Sequence, residues 1–482
     1  MFGFGKKKVQ INTSATNPQR INVRGRYDAA QNSPDNARHW AMADSFSPDL
    51  AASPQVRATL RNRSRYEVAN NSYAKGMVLT LANDCIGTGA RLQMLTADDE
   101  ANKTIERMFS EWADEICLAS KLRTARMARA VDGETFCIKT HNPKLRSPIK
   151  LDLKIVEAEQ ITTPWQKISS LSSNQADGIE FDQYGNRSLY YILKQHPCSA
   201  GQFLNPGYDI VAAENVMHLY RVDRAGQNRG IPEITPALPL FAQLRRYTLA
   251  VISAAETAAD FAAVLYTDSP ANGEADNVTP LDTVNLDKNM ATTLPHGWKL
   301  GQIEANQPIT TYAEFVRALL NEIARCMNIP LGVAIGNSSQ YNYASGRLDY
   351  QMYGKTIDVD RSDIELTILD RILMQWLDMA ILVGSPMPLS IRAIQSYPHK
   401  WFWDGREHVD PAKEANAQET RLKSNTTTLA EEYAKQGKDW RQELDQRAIE
   451  VAYCKSKGLM LEEALPDKNT STAVMEDEDD QK

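Results

Sequence analysis

Two imidazoles and a carboxylate come close together in the run WFWDGRE of this 482-residue chain, where His399 and His408 flank Asp404. These are ligand types for zinc or a similar ion. A metal site built from these three is one reading of the run, and an ordinary exposed loop is the favoured one. The other histidines (His39, His141, His196, His218 and His296) are scattered. Six cysteines, Cys85, Cys117, Cys137, Cys198, Cys326 and Cys454, form neither CxxC nor zinc spacing. They read as buried free thiols of a reducing compartment. There is no G-x-x-x-x-G-K-[ST] phosphate cradle: Gly332 and Gly336 are suggestively spaced, but Asn337 follows and no lysine is near. G-x-S-x-G and H-E-x-x-H are also missing. No carboxylate stands out in an apolar setting that would raise its pKa for acid–base work. The chain does not read as an enzyme, and no catalytic residue, metal or cofactor is expected.

The more informative polar residues lie at 336–347, GNSSQYNYASGR. Their Ser, Asn and Gly content suits a mobile loop, yet Tyr341 and Tyr343 sit in it. Tyrosines there suggest contact with a large polar partner. The net charge is −7, so the whole protein is not a basic nucleic-acid binder. The sign is uneven. Lys6, Lys7, Lys8, Arg20, Arg24, Arg26 and Arg38 make the start basic, and Glu476 to Asp480 make the end acidic. Both ends read as mobile tails. Apolar residues make up 42% and charged residues 24%, as in a globular protein of more than one domain. No apolar stretch is long enough to span a bilayer, and the N-terminus has no apolar signal core.

The elements that must position these residues follow from periodicity. A basic helical pattern runs from Pro54 to Ala82, with Tyr66, Ala69, Tyr73, Met77 and Leu81 on one face and Arg57, Arg61, Arg63, Arg65 and Lys75 decorating it. Cys85 to Leu95 reads as a turn and strand. A second helix is expected over Ala101 to Ala130, burying Ile105, Phe109 and Trp112. Gly133 to Tyr220 is β-rich, with strands at ETFCIKTH, IKLDLKIVEA and NVMHLYR and a hairpin at Gly185–Asn186. Long helices are expected from Pro239 to Ala263 and from Tyr312 to Ile329, the latter roughly 27 Å long. They bracket a turn-rich module, Thr267 to Pro308. In the second helix Glu322 and Arg325 are three apart, a pair worth a few tenths of a kcal/mol, about 0.2–0.5. A further long helix runs to Leu382, with Leu366, Leu369, Leu373, Trp376 and Ala380 facing the core. Near the C-terminus, Asp410–Pro411, Thr428 with Glu431, and Asp439 with Gln442 mark helix starts; Gly437 and Gly458 mark ends.

Four segments in collinear order resemble the lambda family of bacteriophage portal proteins. They are RNRSRYEVANNSYAKGMVLTLANDCIGTGARLQ from Arg61, RAGQNRGIPEITPAL from Arg224, NIPLGVAIGNSSQYNYASGR from Asn328, and VDPAKEANA from Val409 with KQGKDWRQ from Lys435. One departure is Ala344, where the family usually has serine; Tyr343 and Arg347 remain in place. The resemblance implies an α+β portal fold that assembles as a ring of about twelve subunits. Its expected parts are a flexible basic segment (1–40), an α/β wing (41–230), a first stem helix (231–266), an inserted α/β clip (267–310) and a second stem helix (311–330). Then come a tunnel loop (331–346), a long wing helix with a return strand (347–400), a helical crown (401–465) and a disordered acidic tail (466–482). Glu314, Arg317, Glu322 and Arg325 would lie on the stem. Asn337, Ser338, Ser339, Gln340, Tyr341, Asn342, Tyr343 and Arg347 would face double-stranded DNA, without sequence preference.

The implied role is a channel at one capsid vertex for packaging and ejecting DNA. The implied partners are the terminase large subunit, a head-tail adaptor, and the major capsid and scaffolding proteins, but no membrane. The implied place is the virion, after assembly in the host cytoplasm. Two alternatives are another connector of the virion and a DNA-processing enzyme such as a nuclease or packaging ATPase.

Overall fold

One asparagine and one cysteine break the two helical patterns of the N-terminal third. Asn71 is extended, and its side chain accepts hydrogen bonds from the Tyr73 and Ala74 amides. It therefore ends helix α2 (Pro54–Asn70), which follows the single turn α1 (Pro48–Ala51), and caps α3 (Ser72–Ile86). The expected single helix is two, and the expected stripe breaks with it: Met77 and Leu81 are buried, while Tyr66 and Tyr73 are exposed. Cys117, at φ 54°, similarly separates α4 (Asp99–Glu115) from α5 (Leu118–Asp132). The computed structural model describes residue 34 and residues 37–164, 175–199, 207–260, 264–267, 296–301, 312–339, 341–383, 397–405 and 411–459. The chain forms two units, 1–47 and 48–482. In the first, residues 37–42 are exposed turns. Everything below concerns the second.

Strand β1 (Arg91–Met94) pairs antiparallel with β11 (His399–Phe402). A three-stranded antiparallel sheet has β2 (Glu134–His141) between β3 (Leu151–Val156) and β8 (Val216–Tyr220). A four-stranded antiparallel sheet runs β4 (Gln175–Ala176), β5 (Ile179–Phe181), β6 (Arg187–Leu193), β7 (Tyr208–Ala212), with the expected turn at Gly185. Helices α6 (Leu238–Asp260) and α7 (Tyr312–Cys326) lie together. Tyr247 stacks on Tyr312 at 5.6 Å and meets Phe315 edge-on at 4.9 Å. Between them, β9 (Val264–Tyr266) pairs with β10 (Lys299–Gly301). Most of the expected insert at 267–308 lies outside the described residues.

After the single turn α8 (Leu331–Ile335), α9 (Tyr343–Ile364) passes through a π-helical stretch at Glu365–Leu369 into α10 (Asp370–Leu382). The wider turn shifts the helix register. Ile364, Ile368, Leu369 and Ile372 are fully buried, while Leu366, expected in the core, is 67% exposed. The main core gathers Phe109, Trp112, Trp376 and Trp401, with Phe109 at 5.2, 5.4 and 5.6 Å from the three indoles. Helices α11 (Pro411–Lys423), α12 (Leu429–Lys435) and α13 (Trp440–Ser456) complete the chain. Thr428 and Glu431 form the expected capping box, and Asp439 caps α13 through the Arg441 amide. Gln93 donates to Asp439 at 2.6 Å, joining α13 to β1.

Arg57 and Arg61 do not decorate α2; they are buried. They belong to an ion network centred on Glu134, which is fully buried at the start of β2. Arg229 donates to both Glu134 oxygens, at 2.7 to 3.0 Å. The Gly230 amide donates at 2.9 Å, His218 Nε2 lies at 3.0 Å, and Arg61 approaches to 3.8 Å. Arg229 and Arg57 share Asp177, and Arg61 and Arg65 share Glu159. Burial alone would raise the Glu134 pKa, but Arg229 and His218 outweigh it and hold the carboxyl well below its usual range. A second cluster adjoins it. Arg126 and Arg129 of α5 grip Glu233 at 2.9 and 3.0 Å and Asp360 of α9 at 2.7 and 3.3 Å. Two backbone segments come into contact here: a Cβ at Gly230 would lie 2.2 Å from the Gly133 carbonyl oxygen, and Gly133 sits at φ 90°.

Removing one partner from a buried pair leaves an uncompensated charge. Glu134→Gln should therefore cost about 3–5 kcal/mol in urea unfolding. His218 gives a pH signature. Burial pushes its pKa down from 6.5 to about 4 despite the pull of Glu134. The unfolded chain thus binds the proton first, so the His218 contribution is complete above pH 6.5 and is lost as pH falls toward 4. The expected slope is at most about 1.4 kcal/mol per pH unit. His218→Phe should flatten it in a pH series of urea titrations.

Candidate functional site

Helix α7 buries Leu320, Ile323 and Ala324, which turns Glu314, Glu322 and Arg325 outward and leaves Arg317 half-buried. Among the described residues, Glu322 and Arg325 form no ion pair with each other, so the expected pair is not made. Asn328, at φ 54°, turns the chain, and Pro330 begins α8. Gly336, at φ 65°, ends it, and the Asn337 amide returns to the Gly332 carbonyl at 3.0 Å. The suggestively spaced glycines thus shape a helix end.

The following loop is folded on itself. Asn337 Oδ1 accepts from the Ser339 amide at 2.9 Å, and the Tyr341 amide donates to the Ser338 carbonyl at 3.0 Å. The Tyr341 hydroxyl accepts from the Gly332 amide at 3.0 Å. A Cβ at Gly332 would lie 2.6 Å from the tyrosine ring, so this anchor needs glycine there. Asn342 Oδ1 then accepts from the Ser345 amide at 2.8 Å and caps α9. The long loop expected to Arg347 therefore stops at Asn342: Tyr343, Ala344, Ser345, Gly346 and Arg347 begin the helix. Side-chain hydrogen bonds available within this segment make the shorter loop possible. Asn337, Ser338, Ser339, Asn342 and Arg347 are exposed, and Tyr341 is half-buried. Gln340 and the side chain of Tyr343 lie outside the described residues. The loop offers amides, hydroxyls and, beside them, the Arg347 cation, which are groups for contact and not for bond cleavage.

Two residues of the candidate metal run are engaged elsewhere in the fold, and part of the run is a strand and not a loop. His399 belongs to strand β11, and its Nε2 lies 3.1 Å from Asp370 Oδ1. Asp404 accepts from the Thr88 amide and hydroxyl at 2.5 and 2.7 Å and from Arg91 at 3.0 Å. His408 lies outside the described residues. Glu157, Glu159 and His196 bring three ligand atoms within 4.8 Å. Arg65 already pairs with both glutamates, at 3.6 and 3.0 Å, which makes this an ion cluster. Burial raises the pKa of three carboxyls among the described residues: Asp132, Glu365 and Glu106, the last up to about 7. The partner of Glu106 is the Met94 amide at 2.7 Å, with no nucleophile among its hydrogen-bond partners.

The segments that mark the sequence now have physical roles. Arg61 and Arg65 reach the Glu134 and Glu159 carboxylates, Thr88 of IGTG grips Asp404, and Arg229 of GQNRG pairs with Glu134. The description "Phage portal protein, lambda family" matches residues 34–361 of the chain, which include the first three of these segments and most of α9. The chain belongs to the lambda family of phage portal proteins. It is similar to a probable portal protein of Halomonas phage phiHAP-1, 23% identical over 411 residues, covering 79% of this chain and 77% of that one. Among solved structures it is similar to a chain in the neck of an empty gene transfer agent particle. That match has a TM-score of 0.43 and 12% identity, over 82% of this chain and 99% of that one. A chain in the neck of the native particle, computed with C12 symmetry, gives 0.41 and 12%, over 78% and 91%. As a portal protein the molecule is a structural part of the virion and not an enzyme.

Sequence reasoning did not single out Glu134, Glu233, Asp360, Arg126 or Arg129. The available signals were two arginines among the apolar positions of α5 and a glutamate straight after an Asp–Gly turn. Tyr341→Phe keeps the ring and loses the acceptor, so it should cost about 1 kcal/mol. Hydrogen exchange of the Gly332 amide should rise accordingly, while exchange in β2 stays unchanged.

Proposed function

We propose that this portal protein closes into a ring of about twelve copies at one capsid vertex, through which double-stranded DNA enters and leaves. In this reading residues 41–230 are the wing, α6 and α7 the stem, 267–310 the clip, and 331–346 hold the tunnel loop. The long helix with its return strand (347–400) completes the wing, and residues 401–465 form the crown. The observation that carries the reading is the family match together with the loop between α8 and α9. That loop is small and polar, exposes Asn337, Ser338, Ser339 and Asn342, and is tied to α8 by Tyr341 and to α9 by Asn342.

Repeated around a ring, such a loop becomes a collar. Each neutralised phosphate adds affinity through counterion release, so a strongly basic collar would grip DNA. A loop of Asn337, Ser338 and Ser339 beside one Arg347 can touch the backbone weakly and read no sequence. Glu314, Arg317, Glu322 and Arg325 would line the stem with mixed charge. The terminase large subunit would dock at the clip and supply the force, and a head-tail adaptor would follow it. The major capsid and scaffolding proteins would meet the wing after assembly in the host cytoplasm.

The test separates assembly from passage. Asn337→Ala with Ser338→Ala and Ser339→Ala spares Tyr341 and the Asn342 cap. Rings counted in top-view micrographs should remain near twelvefold, while packaged DNA per particle falls several-fold. Normal packaging by this variant would refute the loop's role, and a wild-type chain that stays monomeric would refute the ring.

A further inference from the structure

One cleft borders the Glu134 network through His218 but holds two arginines, Arg187 and Arg371, that the network does not use. It lies between β6, β8 and the π-helical stretch, is open to solvent with a volume of about 620 Å³, and is lined by Arg187, Tyr190, His218, Tyr220, Leu366 and Arg371 among others. Arg371 donates to the carbonyls of Val216, Ala213 and Glu214 at 3.0, 2.9 and 3.1 Å. Arg187 donates to the Tyr220 hydroxyl at 2.5 Å, and its guanidinium lies 5.1 Å from the centre of that ring. Both cations are held by neutral groups. Glu214 lines the cleft, yet among the described residues neither arginine has a carboxylate within ion-pair distance. Burial pushes the Arg371 pKa down, and the Arg187 charge adds to that.

This contrasts with Arg57, Arg61, Arg65, Arg126, Arg129 and Arg229, each of which has an acid partner. The rim differs too. Leu366 is 67% exposed and Val222 57%. A small anion or a DNA phosphate would answer the two charges but leave this apolar rim wet. A protein segment answers both needs. A chain with net charge −7 carries spare carboxylates itself, and in a ring each copy offers its neighbour a surface different from the one it receives.

We propose that this cleft is half of the contact between adjacent copies, completed by a carboxylate that the neighbouring copy presents to Arg187 and Arg371 while its apolar atoms cover Leu366 and Val222. The inference deepens the ring reading and rests on it.

The experiment uses the full chain with p-benzoylphenylalanine in place of Leu366. Illumination of assembled rings should give ladders of joined copies, with the attachment mapped to a peptide containing Asp or Glu. Arg187→Gln should raise the half-assembly concentration several-fold, and Arg187→Gln with Arg371→Gln about tenfold or more. Thermal unfolding keeps loss of folding distinct, since Arg371 also holds backbone carbonyls. Rings that form at the wild-type concentration in the double variant, or a probe that joins only its own chain or a different protein, would overturn the cleft while leaving the ring intact. A wild-type chain that stays monomeric would overturn both.

Discussion

A carboxylate with no exposed surface must be neutralised by neighbours, and Glu134 sets the terms on which the rest of the chain comes together. It opens β2, immediately after the Gly133 turn. Arg229 arrives from the segment before α6, Arg61 from α2 and His218 from β8. Buried charge pairs add little net stability over apolar packing, but they penalise every arrangement that leaves a member unpaired. The glycine contact between Gly133 and Gly230 lets two backbones approach closely enough for that pairing. The network thus holds one helix, one sheet and one connecting segment in a single relation.

From there the constraint passes toward the exposed loop. Glu233 is in the same segment as Arg229, and Arg126 and Arg129 join it to Asp360. Asp360 lies on α9, whose N-terminal cap is Asn342. The polar loop is therefore carried on a helix whose direction is tied to the buried acids. Tyr341, next to that cap, ties the same end of the loop back to α8. If the loop meets DNA as proposed, its weakly attractive polar groups are held in place by the packing of the helix that carries them. Precise placement of weak contacts comes from packing beneath them, not from affinity at the surface.

Two kinds of cation follow from the same accounting of charge. The arginines of the two buried clusters meet carboxylates; among the described residues Arg187 and Arg371 meet carbonyls, a hydroxyl and a tyrosine ring, with no carboxylate at ion-pair distance. The π-helical stretch turns Leu366 out beside them. A regular helix would have carried Leu366 onto the face of Leu373, so this surface exists because one turn is wider than its neighbours.

Local patterns were enough for the strands from Glu134 to Tyr220, the Gly185 hairpin, the Thr428–Glu431 capping box and the family resemblance. Each depends on residues adjacent or nearly adjacent in the chain. The breaks at Asn71 and Cys117, the early start of α9 at Tyr343 and the exposed Leu366 were not legible. They turn on side-chain caps and a change of helical pitch that leave the hydrophobic spacing almost unchanged. Nor could composition separate a buried arginine from a solvated one: Arg57 and Arg63 are six residues apart on one helix, and only the first has Asp177 against it. The order of types along the chain determined which elements form and to which family the protein belongs. Tertiary structure alone decided which charges meet, because Glu134 and Arg229 are brought together only when their strand and segment pack.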